Sequence, residues 1–82
     1  MIYPNDPLIL TKCIVNFYSR VTNKQINDVS EIPADALTII LHMRYVDMIE
    51  YDVKQDRQKH LSLRFIATRY GVGVRVIRGI VS

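Results

Sequence analysis

The chain has a single cysteine, Cys13, so no internal disulfide can form and a disulfide-stapled secreted scaffold is excluded. Glycine and proline are scarce, three of each, which excludes collagen-like and low-complexity sequence. Lys, Arg, Asp or Glu interrupts every apolar stretch, and no run approaches the roughly 18 residues of a membrane span. Met1-Ile2-Tyr3-Pro4-Asn5-Asp6 has no basic region ahead of an apolar segment, so no signal peptide is expected. Disorder is excluded by an apolar fraction of 49% against 23% charged residues. With 82 residues, well under the roughly 150 of a typical domain, residues 1–82 are expected to form one small soluble, intracellular domain. A chain this short buries only about 60–65% of its unfolded surface, so its core is marginal.

Acidic residues are missing from one region. The formal net charge of +3 hides a split, with residues 1–41 at −1 and residues 42–82 at +4. After Asp56 come Arg57, Lys59, Arg64, Arg69, Arg75 and Arg78 with no acid among them. Anionic partners feel such a field within a Debye length of about 8–10 Å. A solvated basic face is the plainest reading of that run taken alone.

Recognisable catalytic chemistry is also missing. His42 and His60 lie far apart, and Cys13 is distant from both, so no metal spacing is visible. His42 reads as a satisfied packing residue, and Cys13 as a small buried hydrophobe. Gly71-Val72-Gly73 lacks both the length and the lysine of a phosphate loop. Asp47, Glu50, Asp52 and Asp56 read as solvated charge rather than catalytic carboxylates. No catalytic residue, metal or cofactor is expected, and the chain does not read as an enzyme.

What is present is a set of helix signals. Asp6 caps a helix with Pro7 in its first position, and Leu10, Ile14, Phe17 and Val21 follow at helical spacing to a stop at Asn23. Tyr3, Phe17 and Tyr18 read as core or rim residues. Residues 24–32 connect to a second helix opened by Pro33, with Asp35 in its first turn. Leu37, Ile40, Leu41, Tyr45 and Met48 form one stripe on it, while Ile39, Met43 and Val46 lie off the stripe. A helix apolar on several sides is expected to be central and buried. Residues 52–60 are polar and either fray or extend that helix. Ser62 caps a third helix, with Leu61 and Ile66 as a hydrophobic staple, and Gly71 ends it. A last segment runs from Val74, and two short helices around a glycine turn make a helix-turn-helix. The competing reading is a strand, because Val72-Gly-Val-Arg-Val alternates, but no partner strand is evident.

Residues 62–81, Ser-Leu-Arg-Phe-Ile-Ala-Thr-Arg-Tyr-Gly-Val-Gly-Val-Arg-Val-Ile-Arg-Gly-Ile-Val, resemble the DNA-binding helix-turn-helix. The resemblance implies that Ala67 is small where the second helix crosses the first, that Gly71 makes the turn and that Val72 plugs the corner. Ile66 and Tyr70 would anchor the first helix, and Ile77 and Ile80 the second. Upstream, Leu41-His-Met-Arg44-Tyr45 and Leu61-Ser-Leu are similar to patterns in the C-terminal promoter-reading domain of bacterial sigma factors. Small phage transcription regulators are similar over the same span, about residues 33–82. The sequence departs from the sigma pattern in three places: Arg64 and Phe65 stand where an acid or amide usually follows the cap, Gly73 stands at the second cap, and Gly79 lies inside the last helix.

The expectation is therefore an all-α domain of four helices near residues 6–22, 33–51, 62–70 and 73–81, ending in a helix-turn-helix. Residues 1–32 would supply the N-terminal helix and connection, and residues 33–82 the sigma-like region. Leu37, Leu41, Tyr45, Ile66, Ala67, Tyr70, Ile77 and Ile80 are the expected core. The resemblance implies a cytoplasmic, sequence-specific transcription regulator, in a bacterial host cell if phage-encoded. Arg75 and Arg78 would read base edges of double-stranded DNA, and Lys59, Arg64, Arg69 and Gly73 would hold its backbone. A homodimer or an RNA polymerase complex would raise the affinity. The alternative is a phage-type interaction protein that binds RNA polymerase or a sigma factor without reading DNA, with Val74, Val76 and Val81 as its contact patch.

Overall fold

The computed structural model describes residues 4–82 and is all-helical there; Tyr3 lies outside the described residues. Five α-helices follow one another: α1 (Pro7–Thr22), α2 (Ala34–His42), α3 (Tyr45–Gln58), α4 (Leu63–Tyr70) and α5 (Val74–Val81). A single 3-10 turn, Val29–Glu31, sits in the connection after α1. The Glu31 carboxylate closes that turn by accepting the N–H groups of Asn27 and Asp28 at 2.8 and 3.0 Å. No helix among the described residues is long and apolar enough to cross a membrane.

The ends of α1 follow from its sequence. Asp6 accepts the Leu8 N–H at 2.9 Å, and Pro7 occupies the first turn, where its missing N–H is no loss. Asn23 closes the helix in the left-handed region at φ 55, a conformation that asparagine tolerates better than most side chains. Cys13, Ile14 and Tyr18 turn into the core, whereas Val21, expected on the apolar stripe, is exposed. Beside it the Arg20 guanidinium lies over the rings of Phe17 and Tyr51, at 5.3 and 4.5 Å from their centroids.

The helix expected over 33–51 is two helices. Pro33 is the cap of α2 rather than its first residue, and the chain turns extended at Met43 and Arg44 before α3 begins. Neither residue is a helix breaker. The reason lies in the apolar pattern, because side chains on several sides of one straight helix cannot all reach the same core. The break lets Ile40 and then Tyr45, Met48, Ile49 and Val53 point inward from two axes. Polar side chains mark the new ends. His42 lies in the last turn of α2, with its Nδ1 2.8 Å from the Thr38 carbonyl, and Asp47 lies in the first turn of α3. Arg44 clamps Asp47 with two bonds, at 3.0 and 3.1 Å.

This break corrects two expectations. Leu37, Leu41 and Tyr45 share a stripe only on a continuous helix; here Leu41 is 50% exposed, and Leu37 is only partly buried. His42 is exposed and hydrogen-bonded rather than packed. It is α3 that forms the centre, packed against α1, α4 and α5, and it extends through the polar residues to Gln58. α2 is peripheral, with only Ile40 buried and Ile39 71% exposed. Tyr45, Ile66, Ala67, Tyr70 and Ile77 are buried as expected, and Ile80 packs on the core edge.

Candidate nucleic-acid interface

Residues 72–80 do not form a strand; α4, a three-residue turn and α5 occupy this part of the chain. Ser62 Oγ accepts the Phe65 N–H at 3.1 Å, which satisfies one free donor at the start of α4. At its end Gly71 is left-handed, at φ 68, and its N–H reaches back to Thr68 O. The Val72 N–H reaches Ala67 O at 3.0 Å. These two bonds form the crossed pattern that closes many helices, and the side chain of Val72 packs partly against the core.

Gly71 is required twice over. Besides its positive φ, a Cβ there would meet Pro4 Cβ at 3.0 Å, Asn5 Oδ1 at 3.1 Å and Ile9 Cδ1 at 3.2 Å. The segment before α1 thus lies directly on the turn, and the Asn5 N–H donates to Gly71 O at 3.1 Å. Gly73 caps α5 with no side-chain bond, and a Cβ there would meet nothing.

The six cations after Asp56 have different surroundings. Arg57 Nη1 donates to Leu61 O at 2.8 Å and braces the loop between α3 and α4. Lys59, Arg64, Arg75 and Arg78 are exposed, and none belongs to an ion pair among the described residues. Arg75 lines a shallow groove of about 370 Å³ between α3 and α5, with Arg44, Asp47 and Glu50. Both of those acids are already engaged, Asp47 by Arg44 and Glu50 by Lys54 at 2.9 Å. The bond to Arg44 also holds the Asp47 carboxyl below its ordinary range.

Arg69 stands apart from the other cations. Its Nη1 binds both oxygens of Asp56, at 3.1 and 3.0 Å, and its guanidinium lies 5.3 Å from the centroid of the Phe65 ring. Asp56, read from sequence as solvated charge, is only 5% exposed and also accepts the Tyr70 hydroxyl at 3.0 Å. Nothing in the local sequence marks this burial, because both partners lie on another helix.

A second buried chain joins α1, α3 and α4. The Tyr45 hydroxyl donates to Tyr70 O at 2.7 Å, so its oxygen is left to accept the Cys13 S–H at 3.3 Å. Burial pushes the Cys13 thiol and both tyrosine hydroxyls above their ordinary values, which keeps all three protonated near neutrality. Every buried side-chain polar atom among the described residues has a partner.

The sequence-derived set therefore divides in two. Arg75 faces the groove between α3 and α5, whereas Lys59 and Arg69 line a different cleft, about 440 Å³, between α1, α3 and α4. That cleft also holds Lys12, which no sequence signal singled out, and Asp52, read from sequence as solvated charge but half-buried here. Of the alternative contact patch, Val74 and Val81 pack on the core and only Val76 lies off it. Comparison with protein-family models, with curated proteins and with solved structures finds no significant match to this chain.

Proposed function

We propose that the chain is a DNA-binding transcription regulator, not an enzyme, in which α4, the Gly71–Gly73 turn and α5 act as a helix-turn-helix. α5 enters the major groove, Arg75 and Arg78 read base edges, and Arg64 and the N-terminus of α5 at Gly73 hold phosphates. The observation that carries this reading is the state of the cations: Arg64, Arg75 and Arg78 are exposed and form no ion pair among the described residues, in a stretch without acids. Arginines held by acids would have to break those bonds before meeting phosphate. Arg69 is in that position and is left out of the DNA-contacting set; Lys59 carries no such bond and is left out because it lines a different cleft from the groove of Arg75. A single short helix makes few contacts, so two copies or a polymerase complex would complete the site.

Fluorescence-anisotropy titration of labelled duplexes at two salt concentrations tests the reading. Arg75→Ala and Arg78→Ala should each lose about 1–3 kcal/mol on a selected site and relax base preference there. Arg64→Gln should weaken all sequences alike and lower the salt slope by about one unit. Wild-type protein without salt-dependent DNA binding would refute it.

The exposure of Ile39 and Leu41 on α2 favours a second reading, a phage-type protein that docks on RNA polymerase or a sigma factor. Under it, polymerase subunits are recovered with the protein from nuclease-treated bacterial lysate, and Ile39→Ser with Leu41→Ser abolishes the recovery.

A further inference from the structure

We propose that the cleft between α1, α3 and α4 is a binding site for a small organic anion that carries an ammonium group, of the charge and size of an acidic amino acid. The site stands apart from α5 and does not depend on the DNA reading.

The volume, about 440 Å³, falls in the range of roughly 300–1,000 Å³ that small-molecule sites occupy. Its walls come from three helices and the loop after α3, so its shape belongs to the folded core rather than to one mobile element. Charge then selects the ligand. Arg69 and Asp56 neutralise each other in the wall. What remains is Lys12 from α1, Lys59 from the end of α3 and Asp52 from α3, two cations and one anion. None of these three belongs to an ion pair among the described residues. A dicarboxylate with one ammonium is their complement, with its acids on Lys12 and Lys59 and its ammonium on Asp52.

Asp52 gains most from such a partner. Burial raises its carboxyl above the ordinary range despite the nearby Arg20 cation, so its ionised form lacks solvation that an ammonium would replace. Asn16 and Gln55 add amide donors and acceptors for the remaining ligand atoms, and Ile9 offers an apolar wall for a methylene chain.

Isothermal titration of the full chain at low salt, with L-glutamate, L-glutamine and glutarate as probes, tests the site. Glutamate should bind at one site per chain. Glutamine lacks one carboxylate and glutarate lacks the ammonium, and each should bind about tenfold more weakly. Lys12→Gln and Lys59→Gln should each weaken glutamate about tenfold, and Asp52→Asn should erase the preference for glutamate over glutarate. The proposal is overturned if glutamate gives no saturable binding, if the three probes bind alike, or if folded lysine variants bind like wild type. Circular-dichroism melts report folding of each variant. Should Asp52→Asn fail to fold, the two surface lysines and the probe comparison still decide the outcome.

Discussion

Replacing Tyr70 by Phe removes one oxygen and leaves the ring in place, so it isolates the hydroxyl bond to Asp56. A hydrogen bond to a charged acceptor contributes about 1.5–3 kcal/mol. The lower end applies here, because Arg69 Nη1 still holds the same carboxylate oxygen at 3.0 Å. A loss of about 1.5 kcal/mol should follow, or roughly 10 °C in Tm for a domain of this size. Arg69→Ala acts on the other side of the carboxylate. An exposed ion pair contributes about 0.2–1 kcal/mol, whereas breaking a buried one costs about 3–5 kcal/mol. With Asp56 5% exposed and the Arg69 side chain 48% exposed, solvent screening places this loss between the two, near 2 kcal/mol. Both residues act through one acceptor, so in an Asp56→Ala background each second substitution should cost at least about 1 kcal/mol less. Urea unfolding at constant m measures all of these variants. Strictly additive losses would refute the shared-carboxylate account.

Gly71→Ala should destabilise the fold by more than about 1 kcal/mol, since it meets both a positive φ and the Pro4, Asn5 and Ile9 contacts, whereas Gly79→Ala faces open space inside α5 and should stabilise by about 0.5–1 kcal/mol; paired thermal melts check both. Ala67→Leu should overpack the buried face of α4 at a cost of about 1–3 kcal/mol, and an unchanged melt would contradict close packing there. Tyr45 and Tyr70 hold their protons above the ordinary phenol range, first because burial disfavours the phenolate. The unfolded chain releases those protons near pH 10 and the folded one does not, so the folded state binds more protons above about pH 10 and stability falls as pH rises through that window. A urea midpoint that stays constant between about pH 9 and about pH 11 would contradict this.

The helix ends were the most legible part of the sequence, because capping is decided by neighbours in the chain. Asp6 with Pro7, Asn23, Ser62 and Gly71 stand where the spacing places them. The break at Met43 and Arg44 was not legible, since neither residue disfavours a helix and the cause is competition among distant apolar faces for one core. The same holds for Asp56, whose partners Arg69 and Tyr70 come into reach only after α4 folds back on α3. Among the cations, sequence counts charge but does not say which charge has an acid beside it. That is why Arg69 groups with Arg64 by sequence and with Asp56 in the fold. Lys12 escaped notice for the opposite reason, being one cation in the acidic half of the chain.

The bond from Asn5 to Gly71 has a consequence for how the chain is made. A ribosome releases Asn5 early and Gly71 much later, so the first segment emerges without the surface on which it rests. Closing so long a loop costs entropy that only the finished contact returns, so the segment is expected to dock late. Until then the turn before α5 has one side uncovered, and the space that only glycine leaves open at residue 71 is empty. A nascent chain carrying Gly71→Ala would strain the left-handed turn as soon as α4 ends, and would meet a second obstacle at the last step, when Pro4 and Asn5 arrive to find their place taken.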